Sequence, residues 1–233
     1  MYKNDPIGFA IADYVQHGNA ESIIVKADLC EDDVMPIDYL FRTYDEMPEL
    51  EQVALKMAKG KILDIGAGAG CHSKWLVDNG ADLKAIDISK GAIDYLKSNG
   101  IDAEKKDLWE IEEKYDTILL LMNGIGLAGK LDRLDKFLLH LKSKLNEGGQ
   151  ILLDSTDISY LYQEEDGSMW VDLNSAYPGE MQFKMCYKDV ETPWFDWLYL
   201  DYATLEKHAE KVGLKCSCIL AGESNNYLAQ LKH

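Results

Sequence analysis

Apolar and polar positions change their period along the chain, and the changes mark out the elements. Ile7, Phe9, Ala10, Ile11, Tyr14 and Val15 recur with helical spacing, and Ser22-Ile23-Ile24-Val25-Lys26 suits either a strand or a loop. Met47-Pro48-Glu49-Leu50-Glu51 opens a helix, because proline fits the first helical position and acids favour the first turn. Leu50, Val53, Ala54 and Met57 then share one face until Gly60 stops it. From Lys61 onward short apolar runs alternate with helical stripes, and strands are predicted over 61–65, 83–88, 102–106, 117–122 and 150–154. Between the last two, Leu131, Leu134, Phe137, Leu138, Leu141 and Leu145 form the clearest stripe, which Gly148-Gly149 is expected to end. Such alternation predicts an α/β fold with a parallel sheet and right-handed crossovers.

After Asp154 the alternation breaks. Tyr160, Tyr162, Trp170, Tyr177, Phe183, Tyr187, Trp194, Phe195, Trp197 and Tyr199 crowd a strand-like stretch punctuated by Gly167, Pro178-Gly179 and Thr192-Pro193. A helix over 202–212 and two strands, 215–220 and 227–231, joined by a hairpin-length turn, complete the pattern. The expected organisation is one domain over 1–233. It has an N-terminal helical cover (1–59), a cofactor-binding core (60–155), an inserted lid or extra sheet (156–201) and a C-terminal helix and hairpin (202–233).

The first strand of the core runs into Asp64-Ile65-Gly66-Ala67-Gly68-Ala69-Gly70. Glycines allow a sharp turn from strand to helix and close approach of a ligand to main-chain N–H groups, and the helix N-terminus favours negative charge. Asp87, closing the next strand, is placed to meet ribose hydroxyls. A dinucleotide fingerprint requires a third small residue where Cys71 stands, which counts against a nicotinamide-dependent oxidoreductase.

Acid-x-Gly-x-Gly-x-Gly, with Asp64 as the acid, resembles motif I of the class I S-adenosylmethionine-dependent methyltransferases. Later segments resemble that family's motifs in order: Ala85-Ile86-Asp87-Ile88-Ser89, Lys106-Asp107-Leu108, and the segment 115–124, in which Asp116 precedes the strand 117–122 and Asn123-Gly124 follow it. The resemblance is firm over about 60–155. It implies a Rossmann-like, doubly wound, seven-stranded mixed sheet closed by a C-terminal antiparallel hairpin. It also implies S-adenosyl-L-methionine as cofactor. Asp64, Gly66, Ala67, Gly68 and Gly70 would surround the methionine end, Asp87 and Ile88 the ribose, and Asp107 and Leu108 the adenine. Arg42 and Tyr44 fall where relatives place a segment over the methionine end; a surface salt bridge accounts equally well for Arg42.

Methyl transfer from a sulfonium needs alignment and exclusion of water more than a fixed set of catalytic groups. Asn123, at the carboxyl end of a buried strand, faces the transferable methyl on this reading, although Asn-Gly is also a strong turn pair. The prolines found here in nucleobase and glutamine N-methylating branches are missing. Asp157 and Tyr160 are candidate acceptor contacts or bases, or simply loop hydrogen-bond formers. His72 is expected on the surface of the helix after the glycine loop, or else near the cofactor's carboxylate. The aromatic stretch reads as an acceptor lid, or as a sheet packed on the core or on a second subunit, so a homodimer is compatible with it.

Composition narrows the partners. With 24 Lys and Arg against 41 Asp and Glu the net charge is −17 and no basic block occurs, so nucleic acid and anionic membrane are poor partners. No apolar run approaches the ~18 residues of a membrane span and no signal-peptide pattern is present, which predicts a cytoplasmic protein. The five cysteines form no zinc spacing, so no metal is expected; Cys216 and Cys218 are assigned to one face of a strand as core residues. The function expected is methyl transfer to a small molecule, the alternative being a non-catalytic S-adenosylmethionine or nucleotide-binding protein.

Overall fold

The computed structural model describes residues 2–162 and 177–233. In chain order the elements are α1 (Pro6–His17), β1 (Ile23–Ala27), β2 (Asp33–Met35), α2 (Glu49–Met57), β3 (Lys61–Ile65), α3 (Cys71–Asp78), β4 (Asp82–Asp87), α4 (Lys90–Ser98), β5 (Ala103–Lys105), β6 (Tyr115–Leu120), α5 (Leu131–Ser143), β7 (Leu145–Thr156), β8 (Glu180–Tyr187), β9 (Val190–Glu191), β10 (Phe195–Leu198), α6 (Tyr202–Lys211), β11 (Lys215–Ala221) and β12 (Asn226–Lys232). Seven of the strands form one mixed sheet in the order β11-β12-β7-β6-β3-β4-β5. The strands β3 to β7 run parallel, and β12 enters antiparallel between β7 and β11.

Both faces of this sheet are covered, so its central strands carry apolar residues at successive positions. Ile118, Leu120, Ile151 and Leu153 meet Leu134, Phe137, Leu138 and Leu141 of α5 on one face. Ile62, Leu119 and Leu152 meet Leu50, Leu55, Leu76 and Leu96 on the other. Truncating a fully buried leucine such as Leu138 to alanine costs about 2–5 kcal/mol, so these layers fix the sheet edge on which the site is built.

A second, wholly antiparallel sheet has the order β10-β8-β1-β2, with β9 paired to β8. The N-terminal cover is therefore not helical throughout, since Ile23–Ala27 is a strand that pairs with the later insert. Its first helix, α1, is capped by Asp5, whose other carboxylate oxygen accepts from Gly91 N–H at 3.1 Å. A β-carbon on Gly91 would land on the backbone of Gly8, so glycine permits α1 and α4 to touch.

Gly148-Gly149 does not terminate α5 but lies within β7. α5 stops at Ser143, and the register shift between Tyr115 and Thr117 lets Gly148, at φ +73°, absorb an irregular step of the ladder. The two late cysteines differ in burial, Cys216 being buried and Cys218 exposed, so Cys218 is not a core residue.

Candidate active site

The glycine loop turns through positive φ at Gly66 (+74°), Gly68 (+55°) and Gly70 (+80°), and its start is pinned where Gly66 N–H donates to the Ile86 carbonyl at 2.9 Å. A β-carbon at Gly66 or Gly68 would meet no protein atom within 4 Å, so these glycines answer to backbone conformation and face open space. At Gly70 the space behind belongs to Leu96, and this residue caps α3 rather than lining a cavity. Asp87 is clamped by Gly68 N–H at 2.9 Å and Ser89 N–H at 2.7 Å. Asp64 is buried and accepts from the Ser73 hydroxyl at 2.6 Å. Burial raises the pKa of both carboxyls, against those hydrogen bonds.

Arg42 and His72 are not at the surface. Arg42 Nη2 donates to Glu51 Oε2 at 2.5 Å and His72 Nε2 lies 2.8 Å from the same oxygen, all three side chains being buried. Burial opposes the imidazolium, but hydrogen bonds to Cys71 and Glu51 outweigh it and push the His72 pKa up to about 10. Burial likewise opposes the Glu51 charge, yet its two cationic neighbours lower that carboxyl's pKa. With both partners charged, the trio carries one net positive charge, and Arg42 Nε is a buried donor with no protein partner. His72 lines the cavity described below whereas Arg42 stands behind it. Tyr44 points elsewhere, its ring stacked 4.6 Å from that of Trp75.

At the end of β6, Met122 and Asn123 both have positive φ, +64° and +57°. Such conformations cost about 1–3 kcal/mol each in non-glycine residues and persist only where the surroundings enforce them. Here Asn123 N–H donates to the buried Asp154 at 2.9 Å, and the Thr156 hydroxyl donates to Asn123 Oδ1 at 2.9 Å. Burial pushes the Asp154 pKa up to about 6, against the bond from Asn123.

The second sheet roofs this edge, enclosing a cavity of about 780 Å³. Register sets its rows: Phe195 lies opposite Phe183 and Phe183 opposite Ala27, Trp197 lies opposite Met181, and Val25 lies between Met185 and Asp33. All of these line the cavity, together with Tyr39, Tyr160, Tyr199, Asp64, Gly66, Ala67, Gly68, His72, Asp87, Asn123 and Thr156. The roof touches the floor where Trp197 covers Gly126, at which a β-carbon would fall on the indole.

Other expected residues lie outside this lining. Ile88 is exposed, Leu108 is buried in the α5-side core, and Asp107 accepts from Trp109 N–H at 2.9 Å in capping the following turn. Asp157 accepts from Ser159 N–H in a local turn. Trp194 is exposed and outside the cavity, so Trp197 supplies the indole of the roof. Trp170 belongs to 163–176, outside the described residues. Sequence reasoning missed Glu51, Thr156, Asp154, Met181 and Met185; the two methionines were visible as alternating with Phe183, separated by Gln182 and Lys184.

A family model described as a methyltransferase domain matches residues 39–215. The chain belongs to that family. An S-adenosylmethionine-dependent methyltransferase from Bacteroides fragilis, solved with S-adenosyl-L-homocysteine, is 40% identical, with a TM-score of 0.94 over 100% of this chain and 96% of that one. The CcbJ methyltransferase of Streptomyces caelestis shares the fold at 14% identity, with a TM-score of 0.58 over 81% of this chain and 94% of that one. The cypemycin N-terminal methyltransferase of a Streptomyces species is 28% identical over 102 residues, 41% of this chain and 42% of the relative. The chain spans less than half the length of the curated relatives it matches. The cofactor of this methyltransferase is S-adenosyl-L-methionine, and the residues present suit it. The open space at Gly66 and Gly68, the clamped Asp87 carboxylate and the net cation around His72 suit a nucleoside that carries an amino acid.

Proposed function

We propose that this methyltransferase transfers a methyl group from S-adenosylmethionine to a small-molecule acceptor held under the second sheet. The observation that carries the reading is that one cavity joins the glycine loop and Asp87 to Asn123 and the aromatic roof. Its volume lies in the upper part of the range of about 300–1,000 Å³ for small-molecule sites. When bound, the cofactor supplies a methyl group on a positively charged sulfur, which is already a good leaving group.

The protein's part is then to hold and align. Asp87 accepts from the ribose hydroxyls, kept in place by Gly68 and Ser89. Asp64, Gly66, Ala67 and Gly68 flank the methionine end, and His72, backed by Glu51 and Arg42, supplies positive charge for its carboxylate. Asp107 and Leu108 mark the adenine side next to the end of β4, through the Lys106 N–H bond to the Asp87 carbonyl. Asn123, fixed by Asp154 and Thr156, and Tyr160 at the mouth face the acceptor. The strong acidity and the absence of any long apolar helix among the described residues support a cytoplasmic enzyme without nucleic-acid partners.

Calorimetry with S-adenosylhomocysteine, followed by a radiolabelled-methyl screen of metabolite pools, tests the reading. Binding together with label transfer is the expected result. Binding with no transfer to any pool would favour a cofactor-binding protein without catalysis.

A further inference from the structure

Beyond Asn123 most of the described residues lining the cavity are apolar or aromatic. Met181, Phe183, Met185, Phe195 and Trp197 present one continuous face, with Phe195 and Trp197 edge to face at 6.2 Å and 76°. Among the described residues the charged groups lining this side are Glu31 and Asp33, both exposed. Among the described residues lining the whole cavity there is no Lys or Arg, and the one histidine, His72, pairs with Glu51 and is already assigned to the cofactor's carboxylate. The sequence from 145 to 183 contains no Lys or Arg either, so the stretch outside the described residues has none to contribute.

These facts discriminate between acceptors. A carboxylate or phosphate would lose hydration here without a counter-charge. A cation gains from aromatic faces and from a negative mouth that concentrates it. A hydroxyl acceptor needs a base beside the attacking oxygen, whereas the polar side chains of the strained turn that line the cavity, Asn123 and Thr156, are not bases, and the buried Asp154 is outside the lining. The neutral form of an amine already carries its lone pair.

Building on the methyltransferase reading above, we propose that the acceptor is a small amine on an apolar, ring-sized body, which packs against Met181, Phe183 and Trp197 while its nitrogen reaches Asn123 past Asp33. The ammonium form first loses a proton to bulk water at the open mouth. The nitrogen lone pair then forms the N–C bond as the methyl–sulfur bond breaks. That bonding pair stays on sulfur, which becomes a neutral thioether, and the methylated nitrogen takes up the positive charge. One proton is released for each methyl moved.

The test uses the full chain loaded with S-adenosylhomocysteine and three probes of matched body: 2-phenylethylamine, 2-phenylethanol and 3-phenylpropionate. Calorimetry at neutral pH should show the amine binding at least tenfold more tightly than the carboxylate and threefold more tightly than the alcohol. In Asp33→Asn the advantage over the carboxylate should fall to about threefold, with S-adenosylhomocysteine affinity unchanged. Equal or tighter binding of the carboxylate or alcohol would overturn the proposal, as would failure of all three probes on a protein that holds S-adenosylhomocysteine. An amine advantage untouched by Asp33→Asn would also overturn it. Failure of S-adenosylhomocysteine itself to bind would instead remove the methyltransferase reading on which the proposal rests.

Discussion

The floor of the cavity is built from neighbours in sequence, and its roof from segments at opposite ends of the chain. Gly66, Ala67, Gly68 and Asp87 follow consecutive strands of a parallel sheet, whose order forces their ends onto one edge. Phe183 and Met185 reach the same cavity only because β8 pairs with β1, and Asp33 only because β2 pairs with β1 in turn. The floor is committed to a cofactor whose chemistry is fixed. The roof rests on the floor where Trp197 covers Gly126 and through an apolar layer in which Ile23 and Tyr187 meet Ala69 and Ala92.

If the two halves are separable, variants in one should leave the other working. The largest effect is expected for Gly68→Val, which puts a branched side chain at φ +55° in the loop: S-adenosylhomocysteine binding should fall beyond detection by calorimetry while far-UV circular dichroism stays native. Asp87→Ala should weaken S-adenosylhomocysteine by at least tenfold, in line with about 1.5–3 kcal/mol for hydrogen bonds to a charged group; unchanged affinity in a folded variant would take Asp87 out of the site. Gly126→Ala should do the reverse. Overpacking against Trp197 at about 1–3 kcal/mol should cut methyl transfer roughly tenfold, yet leave S-adenosylhomocysteine affinity within threefold. A parallel fall in both quantities would show that floor and roof are one unit.

The smallest effect concerns the trio behind the floor. His72 has a folded pKa raised to about 10 from an ordinary value near 6.5. Its contribution to stability is therefore complete below about pH 6.5 and drains away as the pH climbs towards 10. Melting temperature should drop by several degrees between pH 7 and 10, and His72→Gln, though less stable at neutral pH, should show a flatter alkaline slope. Equal slopes would mean that the histidine is neutral in the folded protein.

The contrast between the halves also explains what could be read from the sequence. Strand β3 was placed to the residue, because its apolar run, glycine loop and next strand are contiguous. The ends of β4, β6 and α6 were off by one or two residues, as expected where ends are decided by capping and fraying. His72 was assigned to a surface because its burial depends on Arg42 and Glu51, partners from other elements that helical spacing does not reveal. For Arg42, expected to suit a carboxylate, the carboxylate it meets in the fold is Glu51. For the roof, the aromatic content of 156–201 was plain while its pairing was not, because antiparallel register with a strand near the N terminus leaves no local signal.

The pairing of Ile24 with Cys186 fixes an order of events during synthesis. When β1 and β2 leave the ribosome, the edge that β8 will take is bare, and it stays bare until most of the chain has been made. The entropy of closing so long a loop grows only slowly with its length, but the contacts that repay it come after the parallel core has its own. The main sheet waits as well, since β12 and β11 are made after β8. A chain cut short before β8 would therefore lack both the roof of the chamber and the last two strands of its floor, so the two halves are completed together, late in synthesis.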